Sequence, residues 1–354
     1  MTSSLFPPQS ASYILSFQFS SWYPEFRHIS IKSNVIRPLS QEFRDYMNAD
    51  GVFVPEGSED VPAESTLSDD DDGYESDDEG EELRKFAFPE LDQKIRECVK
   101  EYGAVFPKLN FSSPKDASWI LPASAPLKCT SPADIYMLLK SSDFITHDLS
   151  PDFVFEGCEQ SSDSSGYELE LVLRKWYPVD RSRELRCFVR NNMLIGISQR
   201  DTNYYDFLNN PDTRSKIIET VQSFWTTNIR PVWKHNKDYV FDILLTRDLS
   251  RAHIIDFNPY APRTDTLLFT YEELHDILKH RNTSPDAPDS MPSSSPELRV
   301  IDSRSHPAAN TNTPANQHNM VPFEALSMSS GRDIDEFADL WEKQIKESMK
   351  EEST

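Results

Sequence analysis

Asp242, Asp256 and Asn258 have the chemistry of a hard-cation site. The stretch YVFDILLTRDLSRAHIIDFN, Tyr239 to Asn258, sets Asp242 inside one apolar run and the other two residues at the end of a second. Tyr239 to Leu245 and His253 to Phe257 read as strands joined by Thr246 to Arg251. Side chains two apart on a strand share a face, so Asp256 and Asn258 point the same way. An antiparallel pairing brings Asp242 close to them. Two carboxylates on apolar strands repel each other and are costly to desolvate. A divalent cation removes both costs, and an oxygen set of this kind suits Mg²⁺, which takes one or two carboxylates with phosphate oxygens and water. The alternative is that Asp242 caps the turn and Asp256 ends its strand in solvent. This stretch by itself leaves both open.

Cations gather upstream. Lys108 ends the short strand AVFPKL, Lys115 sits in the hydroxyl-rich loop NFSSPK, and Lys175 precedes Trp176. Glu184, Arg186 and Arg190 alternate with Leu185, Cys187 and Val189, so the charged set shares a face; Arg200 closes the next strand. Turned to water, such a face is ordinary. Turned to the acids, it makes the surroundings that a nucleoside triphosphate with Mg²⁺ requires: cations for phosphate oxygens, carboxylates for the metal, and Trp176 as an apolar surface near a base. On that reading Lys108 and Arg186 line a cleft, so the fold should survive their removal. The chain has 9 glycines, no GxxxxGK followed by Ser or Thr, and no GxGxxG after a strand, which excludes P-loop and Rossmann sites.

The elements that must position these residues are legible in outline. Phe17 to Phe26, FQFSSWYPEF, packs aromatics so densely that core burial is expected. Ile29 to Leu39 reads as a strand. Phe88 to Tyr102 reads as a helix with Leu91, Ile95, Val99 and Tyr102 inward, closed by Gly103. Ser131 caps a helix over Ser131 to Leu139, with Pro132 at its first turn. Tyr167 to Trp176 is a strand. Glu184 to Arg190 and Met193 to Arg200 form a hairpin about Asn191-Asn192. Asp212 to Trp225 and a shorter stretch from Leu274 to Leu278 are helical.

Composition bounds the class. The 354 residues suffice for one large domain or two. Glu56 to Glu82 holds 14 acidic residues and no Lys or Arg; taking them from the net charge of −23 leaves −9. Such a chain is ill-suited to nucleic acid backbone, which needs cations to displace counterions. Cys98, Cys129, Cys158 and Cys187 form no CxxC pair, which suits reduced thiols in an intracellular protein. No apolar run is long enough to span a membrane and no signal peptide is read. The expected segments are an aromatic N-terminal part (1–50), an acidic disordered insert (51–83), a core (84–281), a flexible Pro/Ser/Asn-rich linker (282–332) and an amphipathic helix (333–349). Ile334, Phe337, Trp341, Ile345 and Met349 form its apolar face. Ser68 and Ser76 precede acids and are candidate acidophilic kinase sites, though a plain solvated tether explains them as well.

The motifs PKLNFSSPKDASWI, LVLRKW, ELRCFVR, LIGISQRD, YVFDI and IIDFNPY, with FSSWYPEF near the start, occur in this order. Together, over roughly Phe17 to Leu278, they closely resemble the cell division cycle protein 123 family. The resemblance implies an α+β, ATP-grasp-like fold: two lobes with mainly antiparallel sheets gripping ATP and Mg²⁺. It implies a cytoplasmic, monomeric assembly chaperone. This chaperone binds the gamma subunit of eukaryotic translation initiation factor 2 before the alpha subunit joins, supporting translation initiation and cell cycle progression. Carried over motif by motif, the nucleotide residues are Lys108, Phe111, Ser113, Lys115, Lys175, Trp176, Tyr177, Glu184, Arg186, Arg200, Asp242 and Asp256. The metal ligands are Asp242, Asp256 and Asn258. Lys115 stands where relatives often have Arg, which keeps the charge and loses the bidentate fork. An ATP-grasp ligase that forms an acyl phosphate is the alternative, since a fold does not fix a function.

Overall fold

The computed structural model describes residues 4–59, 85–122, 124–159, 166–282 and 295–306. The acidic run carrying Ser68 and Ser76, the linker beyond 306 and the amphipathic segment 333–349 lie outside the described residues. Eight strands make two sheets: β1 (Ser33–Ile36), β2 (Val105–Lys108), β3 (Leu171–Lys175), β4 (Glu184–Arg190), β5 (Met193–Gln199), β6 (Tyr239–Leu245), β7 (Ala252–Pro259) and β8 (Glu297–Arg299). The first sheet is antiparallel in the order β1-β3-β2. The second runs β7-β6-β4-β5-β8, antiparallel except where β8 pairs parallel with β5. The fold is α+β with two mainly antiparallel sheets, as the resemblance implied.

Nine helices surround the sheets among the described residues: α1 (Ala11–Leu15), α2 (Phe19–Phe26), α3 (Gln41–Asn48), α4 (Pro89–Tyr102), α5 (Pro132–Lys140), α6 (Thr146–Leu149), α7 (Pro151–Val154), α8 (Pro211–Phe224) and α9 (Tyr271–Asn282). The expected signals act where they were read. Ser131 and Asp134 close a reciprocal capping box at α5, and Asn191 and Asn192 turn the β4–β5 hairpin with φ of 50° and 58°. Gly103 ends α4 at φ 80°, a conformation that costs other residues strain. On α4 the expected face meets the core, with Ile95 buried and Leu91, Val99 and Tyr102 packed against it; Asp92 and Cys98 are buried as well, and Asp92 accepts from the Tyr136 hydroxyl at 2.7 Å.

Alternation along the strands of the large sheet sorts its two faces. Leu185, Cys187, Val189, Tyr239, Phe241 and Ile243 face a core shared with α2 and α8. Phe188, Ile195 and Val240 face a smaller core under α9. The aromatic stretch at the N-terminus is buried as expected: Phe19, Trp22 and Phe26 have no appreciable exposure, and Trp22 and Phe26 each pack on Phe257 with ring centroids 5.2 Å apart.

Several boundaries differ from the sequence reading. Only Ser33–Ile36 of Ile29 to Leu39 is strand, and β3 starts at Leu171, leaving Tyr167 free of the sheet. The acidic insert starts later than 51: Pro55 and Ser58 are buried, and the Gly57 carbonyl accepts from Arg96 at 2.7 Å. Part of the expected linker is ordered sheet, because residues 295–306 supply β8 and bury Leu298, Val300 and Ile301. A three-residue edge strand with a single apolar inward side chain carries too little pattern to be read from composition.

Candidate functional site

The register puts the acids where the strand pattern required. Asp242 of β6 lies directly opposite Asp256 of β7, and Val240 lies opposite Asn258, so all three site residues share the face turned away from the α8 core. A shift in register between Asp242 and Ile243 bends the ladder there. Asp242 also sits opposite Arg186 on β4.

The charges are balanced within the protein. Arg186 grips Asp242 with two parallel bonds, Nε to Oδ1 at 2.8 Å and Nη2 to Oδ2 at 2.9 Å, both side chains being buried. Its third nitrogen, Nη1, donates to the Asp265 carbonyl at 2.8 Å. Arg200 adds Nε at 3.5 Å from Asp242 Oδ2 and Nη1 at 3.2 Å from Glu184 Oε2. Lys108, from the other sheet, places Nζ 2.6 Å from Asp256 Oδ2. One ion pair therefore joins the two sheets. Three basic side chains thus already answer the repulsion and desolvation that the strand pattern assigned to a divalent cation. Burial pushes the Asp242 carboxyl up, but Arg186 and then Arg200 outweigh it and hold it well below the usual carboxylate range. Burial likewise opposes the charge of Arg186, and Asp242 more than restores it.

Asp242, Asp256 and Asn258 still form an oxygen-only set on adjacent strands, which is the donor chemistry of Mg²⁺. No cluster of three or more His, Cys, Asp or Glu suited to a metal occurs among the described residues; the third donor of this set is an amide.

Lys115 is exposed and lies near Arg200, Glu184, Asp242 and Arg186. Desolvation within the cleft and the neighbouring Arg200 push its ammonium down to about 8, against the pull of Glu184 and Asp242. Phe111 and Ser113 lie on the same loop, half-buried. Lys175, Trp176 and Tyr177 form a separate group at the end of β3. Lys175 Nζ lies 5.5 Å from the Tyr177 ring centroid, Trp176 Nε1 donates to the Pro126 carbonyl at 3.1 Å, and Lys128 covers the Trp176 ring. Neither a hydrogen bond nor an ion pair ties this group to Asp242 or Asp256 among the described residues. Lys108 and Lys175 also leave the small sheet by opposite faces, since Lys108 lies opposite Val172 and Lys175 is three residues further along β3.

Two buried charged residues near the site residues escaped the sequence reading. Arg174 is buried, with Nε and Nη2 lacking a partner among the described residues, and its guanidinium lies 5.6 Å from the Phe19 ring that Lys108 also covers. Asp148 is fully buried and accepts from the backbone of the Phe111 loop. Arg174 was visible inside LVLRKW, one position before a selected Lys; THDLS carries no comparable signal.

Comparison with known proteins is consistent along the chain. A family model described as D123 matches residues 22–329. The translation initiation factor eIF2 assembly protein of Schizosaccharomyces pombe is 37% identical over 338 residues, covering 93% of this chain and 95% of that protein. The protein of the same name from Xenopus laevis is 43% identical over 268 residues, covering 74% and 77%. Among solved structures, that of Cdc123 from Schizosaccharomyces pombe superposes with a TM-score of 0.63 at 33% identity, over 83% of this chain and 99% of that one.

Proposed function

The chain belongs to the D123 family, and on that premise we propose that it is an assembly protein for translation initiation factor eIF2, acting through a nucleotide site between its two sheets. The observation that carries the nucleotide reading is the Lys108–Asp256 pair, which joins the small sheet to the large one amid Glu184, Arg186, Arg200 and Asp242. ATP is the ligand this charge pattern fits, with Mg²⁺ held by Asp242, Asp256 and Asn258. The metal would neutralise phosphate charge. Lys108, Lys115, Arg186 and Arg200 would bind phosphate oxygens; Phe111, Trp176 and Tyr177 would offer apolar surface; Ser113, Lys175 and Glu184 would complete the polar contacts. On binding, Lys108 would turn from Asp256 to a phosphate oxygen, and the Asp256 carboxylate would be free to hold the cation. The cost of breaking one charge pair is offset by forming two.

The partner is the gamma subunit of eIF2, with segment 333–349 as a tethered second contact that raises avidity through its linker. The chain acts as a cytoplasmic monomer. No helix among the described residues is long and apolar enough to cross a membrane.

The test is titration of the pure chain with ATP in Mg²⁺ and in EDTA, with and without the gamma subunit, followed by an ADP assay. Wild type should bind ATP more tightly in Mg²⁺, and Asp256→Ala should lose that advantage. Equal affinity of mutant and wild type in Mg²⁺ would overturn the metal assignment. ADP release only on adding a carboxylate and an amine would show a ligase instead. Trp341→Ala should weaken gamma-subunit binding and leave ATP binding intact.

A further inference from the structure

The loop that carries Phe111, Ser113 and Lys115 has no regular structure of its own, yet a buried carboxylate 37 residues away holds it in place. Asp148 Oδ2 accepts from Phe111 N at 2.7 Å and Ser112 N at 2.8 Å. Its Oδ1 accepts from Ser112 Oγ at 2.8 Å and meets His147 Nδ1 at 2.9 Å. The side chain has no solvent exposure and no Lys or Arg ion pair among the described residues. A buried carboxylate is costly unless its oxygens are satisfied, and the donors here come mainly from the loop. Asp148 and the loop therefore fix each other.

The same element fixes the Phe111 ring. The Tyr167 hydroxyl donates to the Asp148 carbonyl, and the Tyr167 ring lies parallel to Phe111, 8° between planes with centroids 6.5 Å apart. His147 meets Phe111 edge-on at 6.4 Å. Within the loop, Leu109 N donates to the Ser112 carbonyl at 3.0 Å, and Lys115 N to the Ser113 carbonyl at 2.8 Å, so the hold on Phe111 and Ser112 extends to the backbone of Ser113 and Lys115.

We infer that Asp148 is a positioning residue of the nucleotide site, aiming the Phe111–Lys115 loop into the cleft by binding its backbone. The inference rests on the nucleotide reading above. Such a residue touches no ligand, yet ligand affinity depends on it, because a loop ordered before binding spares the ordering cost at binding.

The experiment titrates ATP with Mg²⁺ into the full chain as wild type, Asp148→Asn, Ser112→Ala, Phe111→Ala and the Asp148→Asn/Phe111→Ala double variant. Hydrogen exchange is followed in the 109–116 peptide of each. Asp148→Asn has one acceptor oxygen for donors that now share two. It should weaken ATP by about tenfold or more, the equivalent of one hydrogen bond, and speed exchange in that peptide but not in β4 to β7. Ser112→Ala, which removes only the hydroxyl bond, should give a smaller loss in the same direction and covers the case in which Asp148→Asn fails to fold. In the double variant the two losses should combine to clearly less than their product, since the group being aimed is gone. Faster exchange with unchanged ATP affinity would make Asp148 a purely structural residue and overturn the inference. So would fully multiplicative losses. A wild-type chain that binds no ATP would overturn the nucleotide reading itself, and this inference with it. Equal binding by wild type and Asp148→Asn would overturn this inference alone.

Discussion

Replacing Arg186 by alanine should destabilise the fold, contrary to what a cleft-lining position suggests. Arg186 and Asp242 are each under a tenth exposed, and their contact is bidentate at 2.8 and 2.9 Å. The alanine variant leaves Asp242 buried with Arg200 Nε at 3.5 Å as its nearest cation, and it strips the Asp265 carbonyl of its Nη1 donor. Breaking a buried pair by removing one partner costs about 3–5 kcal/mol. The remaining Arg200 places this case near the lower end, and the orphaned carbonyl adds about 1 kcal/mol. A loss of roughly 4 kcal/mol is expected, which for a chain this large is on the order of 10 °C in Tm. Urea denaturation of wild type and variant, compared at equal m, measures it. Removing both partners, as Arg186→Met/Asp242→Leu, should recover most of the loss, because neither charge is then left unpaired. The pair also sets an acid limit. A carboxyl held below its unfolded value contributes stability that is fully present above about pH 4 and is lost as pH falls toward the folded value. A loss below about 1 kcal/mol for Arg186→Ala, or a double variant as unstable as the single one, would refute the reasoning.

Two further outcomes follow from the geometry. The Lys115 ammonium, pushed down to about 8, should lose its proton between about pH 7 and 9 in the free chain. ATP affinity should therefore fall over that range, with proton uptake on binding at pH 8.5. Calorimetry in buffers of different ionisation enthalpy reads that uptake, and Lys115→Arg should abolish both effects because Arg stays charged. Gly196→Ala should cost roughly 1 kcal/mol or more, since a Cβ there would stand 2.9 Å from Leu274 Cδ2 and 3.2 Å from Phe269 Cζ in a closed core. A thermal melt unchanged within about 1 °C would show that α9 yields freely.

The parts of this fold that local chemistry dictates were legible in the chain. Apolar alternation marked β4, β5 and β6, Asn191-Asn192 marked their hairpin, and Ser131-Pro132 marked the start of α5. Asp242 and Asp256 stood out as charges on apolar strands, and their pairing needed only the intervening turn. What neutralises them was not legible. Lys108 is 148 residues from Asp256 in sequence, and nothing local to either says that they meet. The two acids were read against each other, when each in fact answers to a cation on another strand. Asp148 was missed for the same reason, since its donors lie 36 and 37 residues away. The burial of Asp92 on α4 was not legible, because it looks like a solvent residue until Tyr136 is placed over it.

The burial of the N-terminal aromatics sets a schedule for synthesis. Tyr13 donates to the Asp238 carbonyl and accepts from Tyr260 N, a separation of 247 residues, while Trp22 and Phe26 close on Phe257. This segment therefore waits for β7 of the large sheet, made more than 200 residues later. At about 5–20 residues per second, that interval is roughly 12–50 s. For all of it Trp22 and Phe26 lack the Phe257 ring on which both close, and the rings of FQFSSWYPEF must be kept apart from those of other nascent chains. Slow codons between residues 26 and 260 would lengthen this exposure. Yield of soluble protein should therefore respond to translation rate between residues 26 and 260.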